Sequence, residues 1–355
     1  MCGQIMNKRR WKGLIVLPVI FVLSMFGPAA VPAIADEKPA VSGTQAIYVR
    51  DIPWQMAMND SIHGPSTENP SVTAAVLDAS TQQVKITRNI EYGRASGTSL
   101  FLDIYTPQKP LANLMPAIIW IHGGSWYYGD KYVTYIKALA EQGFFGVSIN
   151  YRLSGKAAFP AAVEDAKCAV RWLKANAQKY SVNPDRIGVW GESAGGHLAM
   201  MVGCADETAG LEGNGGWAGF SSKVQAVCSF YGVSDLTAQY EYYQKEKRTT
   251  NIALNKFMDG TPKQIPDIYA LGSPITHVTA DDPPLLLIHG DRDQTVPFVQ
   301  SEMMHTACQR LGLDSTLVKV TGAGHGFGRP ARISPSPAEI QQAVIDFFKK
   351  HLVDA

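Results

Sequence analysis

The chain lacks an excess of either charge: among its 355 residues 32 Lys and Arg stand against 31 Asp and Glu, a formal net charge of +1. With no block of like charge there is no basic stripe to hold nucleic acid or an anionic membrane surface, and small neutral partners are the expectation. Long apolar runs are also missing. The apolar stretch from Leu14 to Phe26 has 13 residues and contains Pro18, whereas a bilayer-crossing helix takes about 20. No His and Cys residues fall at metal-ligand spacing, so neither a metal nor another cofactor is expected. No internal repeat is found. Cysteine is sparse, with five in all.

What is present at the start of the chain has a clear form. Lys8, Arg9, Arg10 and Lys12 precede the apolar stretch, and "AIA" at Ala33 to Ala35 places small residues before a cut. Residues 1–35 are expected to be a signal peptide cleaved after Ala35, making the mature protein secreted or periplasmic, with no stable membrane insertion after cleavage. Met6 is an alternative start, which would exclude Cys2, and no lipobox-like cysteine follows the apolar run. Loss of the leader leaves 28 basic and 31 acidic residues, a net charge of −3. The remaining Cys168, Cys204, Cys228 and Cys308 would then sit in an oxidising compartment. Cys204 with Cys228 is the first disulfide to test, and buried free thiols are the alternative.

Residues 36–80 show no period and cluster Pro, Ser, Thr and Asn, as in "SIHGPSTENPS", which suggests a linker or surface arm. One α/β domain is expected over residues 81–355. It opens with the strand-like "VKITRNIEY" and "SLFLDIYTP", read as an antiparallel entrance to a sheet. Six short apolar runs follow, "AIIWI", "FFGVSINY", "IGVW", "VQAVCSFYG", "LLLIHG" and "TLVKV", each continuous enough for burial on both faces. Helical stretches separate them; Val163, Ala166, Val170, Leu173 and Ala177 form one apolar stripe. This alternation predicts a mostly parallel central sheet with helices on both faces. Residues 235–272 interrupt it between the fourth and fifth runs. They form either a solvated helical insertion or a short cap in which Tyr240, Tyr242 and Tyr243 wall a pocket.

The segment "IGVWGESAGGHLAM" sets Ser193 in a G-x-S-x-G pattern between a strand and a helix, the context in which a serine projects from a sharp turn. Such a hydroxyl needs a base, and the base needs an orienting acid. His325 in "GAGHGF" follows the last strand, and Asp291 and Asp293 in "HGDRDQTVP" follow the fifth run, with Asp235 in "YGVSDL" as a further candidate acid. "IHGGSW" offers the amide N–H groups of Gly123 and Gly124 for a developing oxyanion, and the N–H of Ala194 completes the set. Trp126, Tyr127 and Tyr128 follow this loop and either touch substrate or pack. Glu192 either tunes the charge of the site at the substrate or faces a buried hydrogen bond. His122 is expected to fix its loop, His197 to pack and His289 to brace the acid loop. His63, His277, His305 and His351 have no partner pattern.

Together, "WIHGGSWYYGDK", "FPAAVEDAKCAVRWLKANA", "RIGVWGESAGGHLA", "SPITHVTADDPPLLLIHGDRDQTVP" and "GAGHGF" make the chain resemble the esterase/lipase group of α/β-hydrolases over Ile90 to Phe348. It resembles closely the bifunctional acetylxylan and feruloyl esterase type (BD-FAE-like) and is similar to the hormone-sensitive lipase family. Ser125 stands where the related HGGG motif has its third glycine. The resemblance implies an α/β-hydrolase fold with a short cap insertion and a Ser193, Asp293, His325 triad, because the acid of H-G-x-x-D-x-x-V-P falls on Asp293. It also implies a serine carboxylesterase acting on a small-molecule or polysaccharide-linked ester of short acyl, acetyl or feruloyl type. The alternatives are a prolyl-oligopeptidase-like peptidase, disfavoured because only about 45 residues separate the leader from the first strand where that family carries a large propeller, and a catalytically silent binding protein.

Overall fold

In the computed structural model the described residues are 83–354 apart from 133–134, 249–250 and 329–332; the expected leader and the arm over 36–80 lie outside them. β1 (Val84–Ala95) and β2 (Thr98–Pro107) pair antiparallel through a two-residue loop. Ser96 and Gly97 there both take positive φ, the conformation that matches a hairpin turn to the twist of its strands.

The apolar runs then alternate with helices as their composition predicts. β3 (Met115–Ile121) is followed by α1 (Tyr135–Glu141), and β4 (Phe145–Ile149) by α2 (Ala161–Ala175) and the single turn α3 (Ala177–Tyr180). β5 (Val182–Glu192) runs into α4 (Ala194–Cys204). β6 (Ala226–Phe230) precedes α5 (Leu236–Lys245), α6 (Asn251–Met258) and α7 (Pro266–Leu271). β7 (Leu285–Gly290), α8 (Val299–Arg310), β8 (Ser315–Val320) and α9 (Pro337–Leu352) complete the described chain.

The sheet order is β1-β2-β4-β3-β5-β6-β7-β8, antiparallel at β1, β2 and β4 and parallel from β4 to β8. The chain leaves β3 for β4 on one side and returns to β5 on the other. The direction of strand succession therefore reverses between β3 and β5, and it is outside the carboxyl ends of strands at such a reversal that open α/β sheets bind ligands.

Strand alternation divides the core into two layers. Ala117, Ile119 and Ile121 of β3 face the layer that α2 and α4 cover, whereas Ile118 and Trp120 face the layer covered by α1 and α9. The α2 stripe of Val163, Ala166, Val170 and Leu173 is fully buried, as its spacing predicts. α9 begins with a capping box in which Ser336 and Glu339 satisfy each other's backbone N–H groups.

Three details differ from the sequence reading. β8 was expected to be buried on both faces, but it lies at the sheet edge, where only Val320 is buried and Lys319 is exposed; a charged residue on an edge also discourages pairing with another chain. The 235–272 insertion is no purely solvated element, since Leu236, Tyr243, Leu254, Phe257, Met258 and Tyr269 join the main core. Of the two readings of the cysteines, the Cys204 to Cys228 bridge is not formed and the buried free thiols hold: all four described cysteines are free and buried. Cys204 packs in the layer beneath α2 and α4, and Cys228 points into the opposite layer, so the sheet itself stands between the two thiols.

Candidate active site

β5 ends on Glu192 and the chain turns into α4 through Ser193, whose φ of 51° and ψ of −119° lie outside the regions that L-residues favour. Two glycines permit the turn by close approach. A Cβ on Gly191 would stand 2.2 Å from the Gly195 carbonyl oxygen, and a Cβ on Gly195 would stand 2.0 Å from that of Ile121. The Ser193 N–H donates to the Phe230 carbonyl at 2.8 Å, which ties the turn to β6.

At this turn the separated candidates meet. The Ser193 hydroxyl donates to His325 Nε2 at 3.0 Å, and His325 Nδ1–H donates to Asp293 Oδ2 at 2.7 Å. Asp293 is held by the Thr295 and Val296 N–H groups, both donating to Oδ1 at 2.8 and 2.9 Å. Burial works against ionisation of the Asp293 carboxyl, but the facing His325 and the neighbouring His289 outweigh it and keep the group well below the usual carboxylate range. The Asp293 carboxyl is thus an anion aimed at the His325 imidazole. Asp291 instead accepts from the Gly322 N–H at 2.7 Å and secures the loop that carries His325. Asp235 caps α5 by accepting from the Ala238 N–H at 2.9 Å.

His289 is wedged under the acid loop, with Ser301 at 2.7 Å on Nδ1 and the Val296 carbonyl accepting from Nε2 at 2.9 Å. His277, which showed no partner pattern, donates through Nε2 to the Leu271 carbonyl. His305 faces Ser315, and His351 lies 3.7 Å from Asp314. His63 lies outside the described residues. Among the described residues no group of three or more His, Cys, Asp or Glu is arranged to hold a metal ion.

The loop after β3 passes over the Ser193 turn with Gly124 at φ 108°, Ser125 at 52° and Trp126 at 56°. Its Gly124 carbonyl accepts from the Tyr127 and Tyr128 N–H groups at 2.9 and 3.0 Å, closing a tight turn. Among the described residues no carbonyl or side chain accepts from the N–H groups of Gly123, Gly124 or Ala194, which leaves these donors for a ligand oxygen. His122 Nδ1–H donates to the Gly123 carbonyl at 2.7 Å while its ring stacks on Tyr151 at 4.4 Å. Burial pushes its pKa down to about 4. His122 therefore stays neutral at physiological pH and shapes the loop.

Two of the expected substrate contacts are placed inside the protein. Trp126 is 4% exposed, stacks on Phe257 of α6 at 4.4 Å, and donates its indole N–H to His197 Nδ1 at 3.1 Å. Glu192 is likewise 4% exposed, and its Oε2 accepts from the Tyr231 hydroxyl at 2.7 Å. Tyr127 and Tyr128 remain exposed, and Lys256 of the insertion sits over the Tyr127 ring at 4.6 Å. Of the insertion tyrosines, Tyr243 is core, and Tyr242 donates to the Gln294 carbonyl at 2.9 Å, next to the acid. Sequence reasoning missed Tyr231, whose ring lies against His325 at 4.7 Å. Its only signal is its place at the carboxyl end of β6, beside the two strands that carry the serine and the acid.

An open, mostly parallel sheet with a serine at a strand-to-helix turn, and with an acid and a histidine on the following strand ends, defines the α/β-hydrolase class. Within that class the chain belongs to the BD-FAE family, whose model matches residues 102–308. Solved structures with this fold include a truncated carbohydrate esterase from gut microbiota, 31% identical with a TM-score of 0.66, covering 77% of this chain and 98% of that one. Esterase Est2 of Thermogutta terrifontis, with propionate bound, is 26% identical with a TM-score of 0.61, covering 76% of this chain and 94% of the other. Among curated proteins, Esterase LipQ of Mycobacterium tuberculosis is 29% identical over 74% of this chain, which spans 62% of that relative's length.

Proposed function

We propose that the chain is a serine carboxylesterase with Ser193 as nucleophile, His325 as general base and Asp293 as the acid that orients it. The observation that carries this reading is the continuous relay Ser193 to His325 to Asp293, with both hydrogen bonds at 3.0 Å or less. His325 Nε2 takes the proton as Ser193 Oγ attacks the ester carbonyl. The N–H groups of Gly123, Gly124 and Ala194 then hold the tetrahedral oxyanion, each donor being worth about 3 kcal/mol to the transition state. Collapse expels the alcohol, which His325 protonates; water repeats the sequence and frees the acid and Ser193.

Short acyl esters and acetyl or feruloyl groups on carbohydrate are the proposed substrate class. Similarity to a carbohydrate esterase and to an esterase with bound propionate supports this reading, and the exposed Tyr127 and Tyr128 beside the oxyanion loop supply ring faces for the alcohol side. Export by the 1–35 leader would bring the enzyme to extracellular polymer; sequencing the N-terminus of the exported protein is expected to begin at Asp36.

The decisive experiment is a panel of short p-nitrophenyl esters, acetylated xylan, methyl ferulate and a dipeptidyl amide. Ester hydrolysis is expected, with Ser193→Ala lowering kcat by at least about a thousand-fold. Activity on the amide alone, or activity indifferent to Ser193→Ala, would overturn the proposal.

A further inference from the structure

The ester chemistry above leaves one buried polar pair without a task. Glu192 immediately precedes the nucleophile and is 4% exposed, and a carboxylate removed from water needs a strong donor. The Tyr231 hydroxyl supplies one at 2.7 Å. On its other side the Glu192 stem lies under the oxyanion loop, so close that a Cβ on Gly123 would meet Glu192 Cγ at 3.2 Å. Tyr231 is itself constrained. Its φ of 39° is uncommon for a bulky residue, and its N–H is fixed to the Ile288 carbonyl at 2.9 Å. Its ring meets His325 at 4.7 Å with a 62° tilt and Phe327 at 4.9 Å.

His325 is thus bounded by Asp293 on Nδ1, Ser193 on Nε2 and the Tyr231 ring on one flank. Phenylalanine would fill the same space. The hydroxyl does something else: it locks the ring to a carboxylate that also supports Gly123. A base displaced by as little as 1 Å loses on the order of a hundred-fold in rate, so a ring held in one position against the imidazole matters more to catalysis than to stability.

We propose that Glu192 and Tyr231 form a positioning pair: Glu192 anchors the Tyr231 ring, the ring fixes the orientation of His325, and the same glutamate backs the oxyanion loop at Gly123. This rests on His325 serving as the base in ester hydrolysis. Both residues are buried away from solvent, so their removal should act on kcat and leave KM largely in place.

The experiment compares Tyr231→Phe, Glu192→Ala and Glu192→Gln in the full-length exported protein. Kinetics on a short p-nitrophenyl ester are read beside circular dichroism and the proton resonance of the His325 Nδ1–H. Tyr231→Phe and Glu192→Ala are expected to lower kcat on the order of ten-fold with KM little changed, and to broaden that resonance. Glu192→Gln keeps an acceptor for the tyrosine and should restore most of the kcat lost in Glu192→Ala. The proposal is overturned if both disruptive variants keep kcat within about two-fold, or lose it only in proportion to their folded fraction. Should the wild-type protein hydrolyse no ester, the functional reading fails by itself. The resonance then decides the positioning: broadened in Tyr231→Phe and Glu192→Ala it upholds the pair, and unaltered it overturns it.

Discussion

Ser193 owes its position to two neighbours that have no side chain. The contacts of 2.2 and 2.0 Å that a Cβ would make at Gly191 and Gly195 are with backbone oxygens, which cannot rotate away. Gly195→Ala is therefore expected to destabilise the fold by about 3 kcal/mol or more through overpacking, measurable as a lowered urea midpoint at unchanged slope; a midpoint equal to wild type would contradict the close approach. Ser193 and His325 stood out in sequence as candidates in strand-end loops, whereas the residues alone left Asp291, Asp293 and Asp235 open as the acid; the family resemblance pointed to Asp293, the one that meets His325 in the fold. Burial was not legible. Trp126 and Glu192 lie beside the oxyanion loop and the nucleophile in sequence, yet both turn inward, since neighbours along a tight turn point to opposite sides of it.

Between elements, His197 carries a connection that no motif announces. It lies one turn along α4 from Ser193, accepts the Trp126 indole N–H on Nδ1 and donates from Nε2 to the Gly272 carbonyl at 2.8 Å, so it joins α4, the loop after β3 and the insertion. A proton on Nδ1 would oppose the indole N–H. Burial lowers the pKa of His197, and of His122, from 6.5 to about 4. The unfolded chain consequently takes up these protons first as pH falls. Stability is complete above about pH 6.5 and is lost as pH drops toward 4, at up to about 1.4 kcal/mol per pH unit for each ring. Chemical denaturation at several pH values checks this, and His197→Asn should flatten the slope. The interruption at 235–272 was visible in sequence as a break in the strand-helix alternation. Its packing was not, because α5, α6 and α7 show no strong apolar stripe, and burial of Phe257 and Tyr243 depends on surfaces far off in the chain.

For the molecule as a whole the cysteines make a test of the two-layered core. Cys168, Cys204, Cys228 and Cys308 are buried and unpaired, and burial pushes the thiol pKa of Cys168 and of Cys308 up to about 11. A thiol reagent should find almost none of these four in the native protein and all of them after denaturation, and a reductant should leave Tm unchanged; a Tm lowered by reductant would point to a disulfide. The sequence left a Cys204 to Cys228 bridge and buried free thiols both open, because proximity in sequence does not say which face of a sheet a side chain takes. The amino-acid sequence by itself determined the α/β class and the six parallel strands and marked Ser193 and His325 as candidates, since periodicity and turn chemistry are local properties of a chain. Only the tertiary structure decided which strand lies at the edge, which aromatic rings stay exposed, which candidate acid meets His325, and that the Tyr231 ring lies against that imidazole. Those depend on strand order and on packing between segments distant in the chain, where no local pattern of residues carries the information.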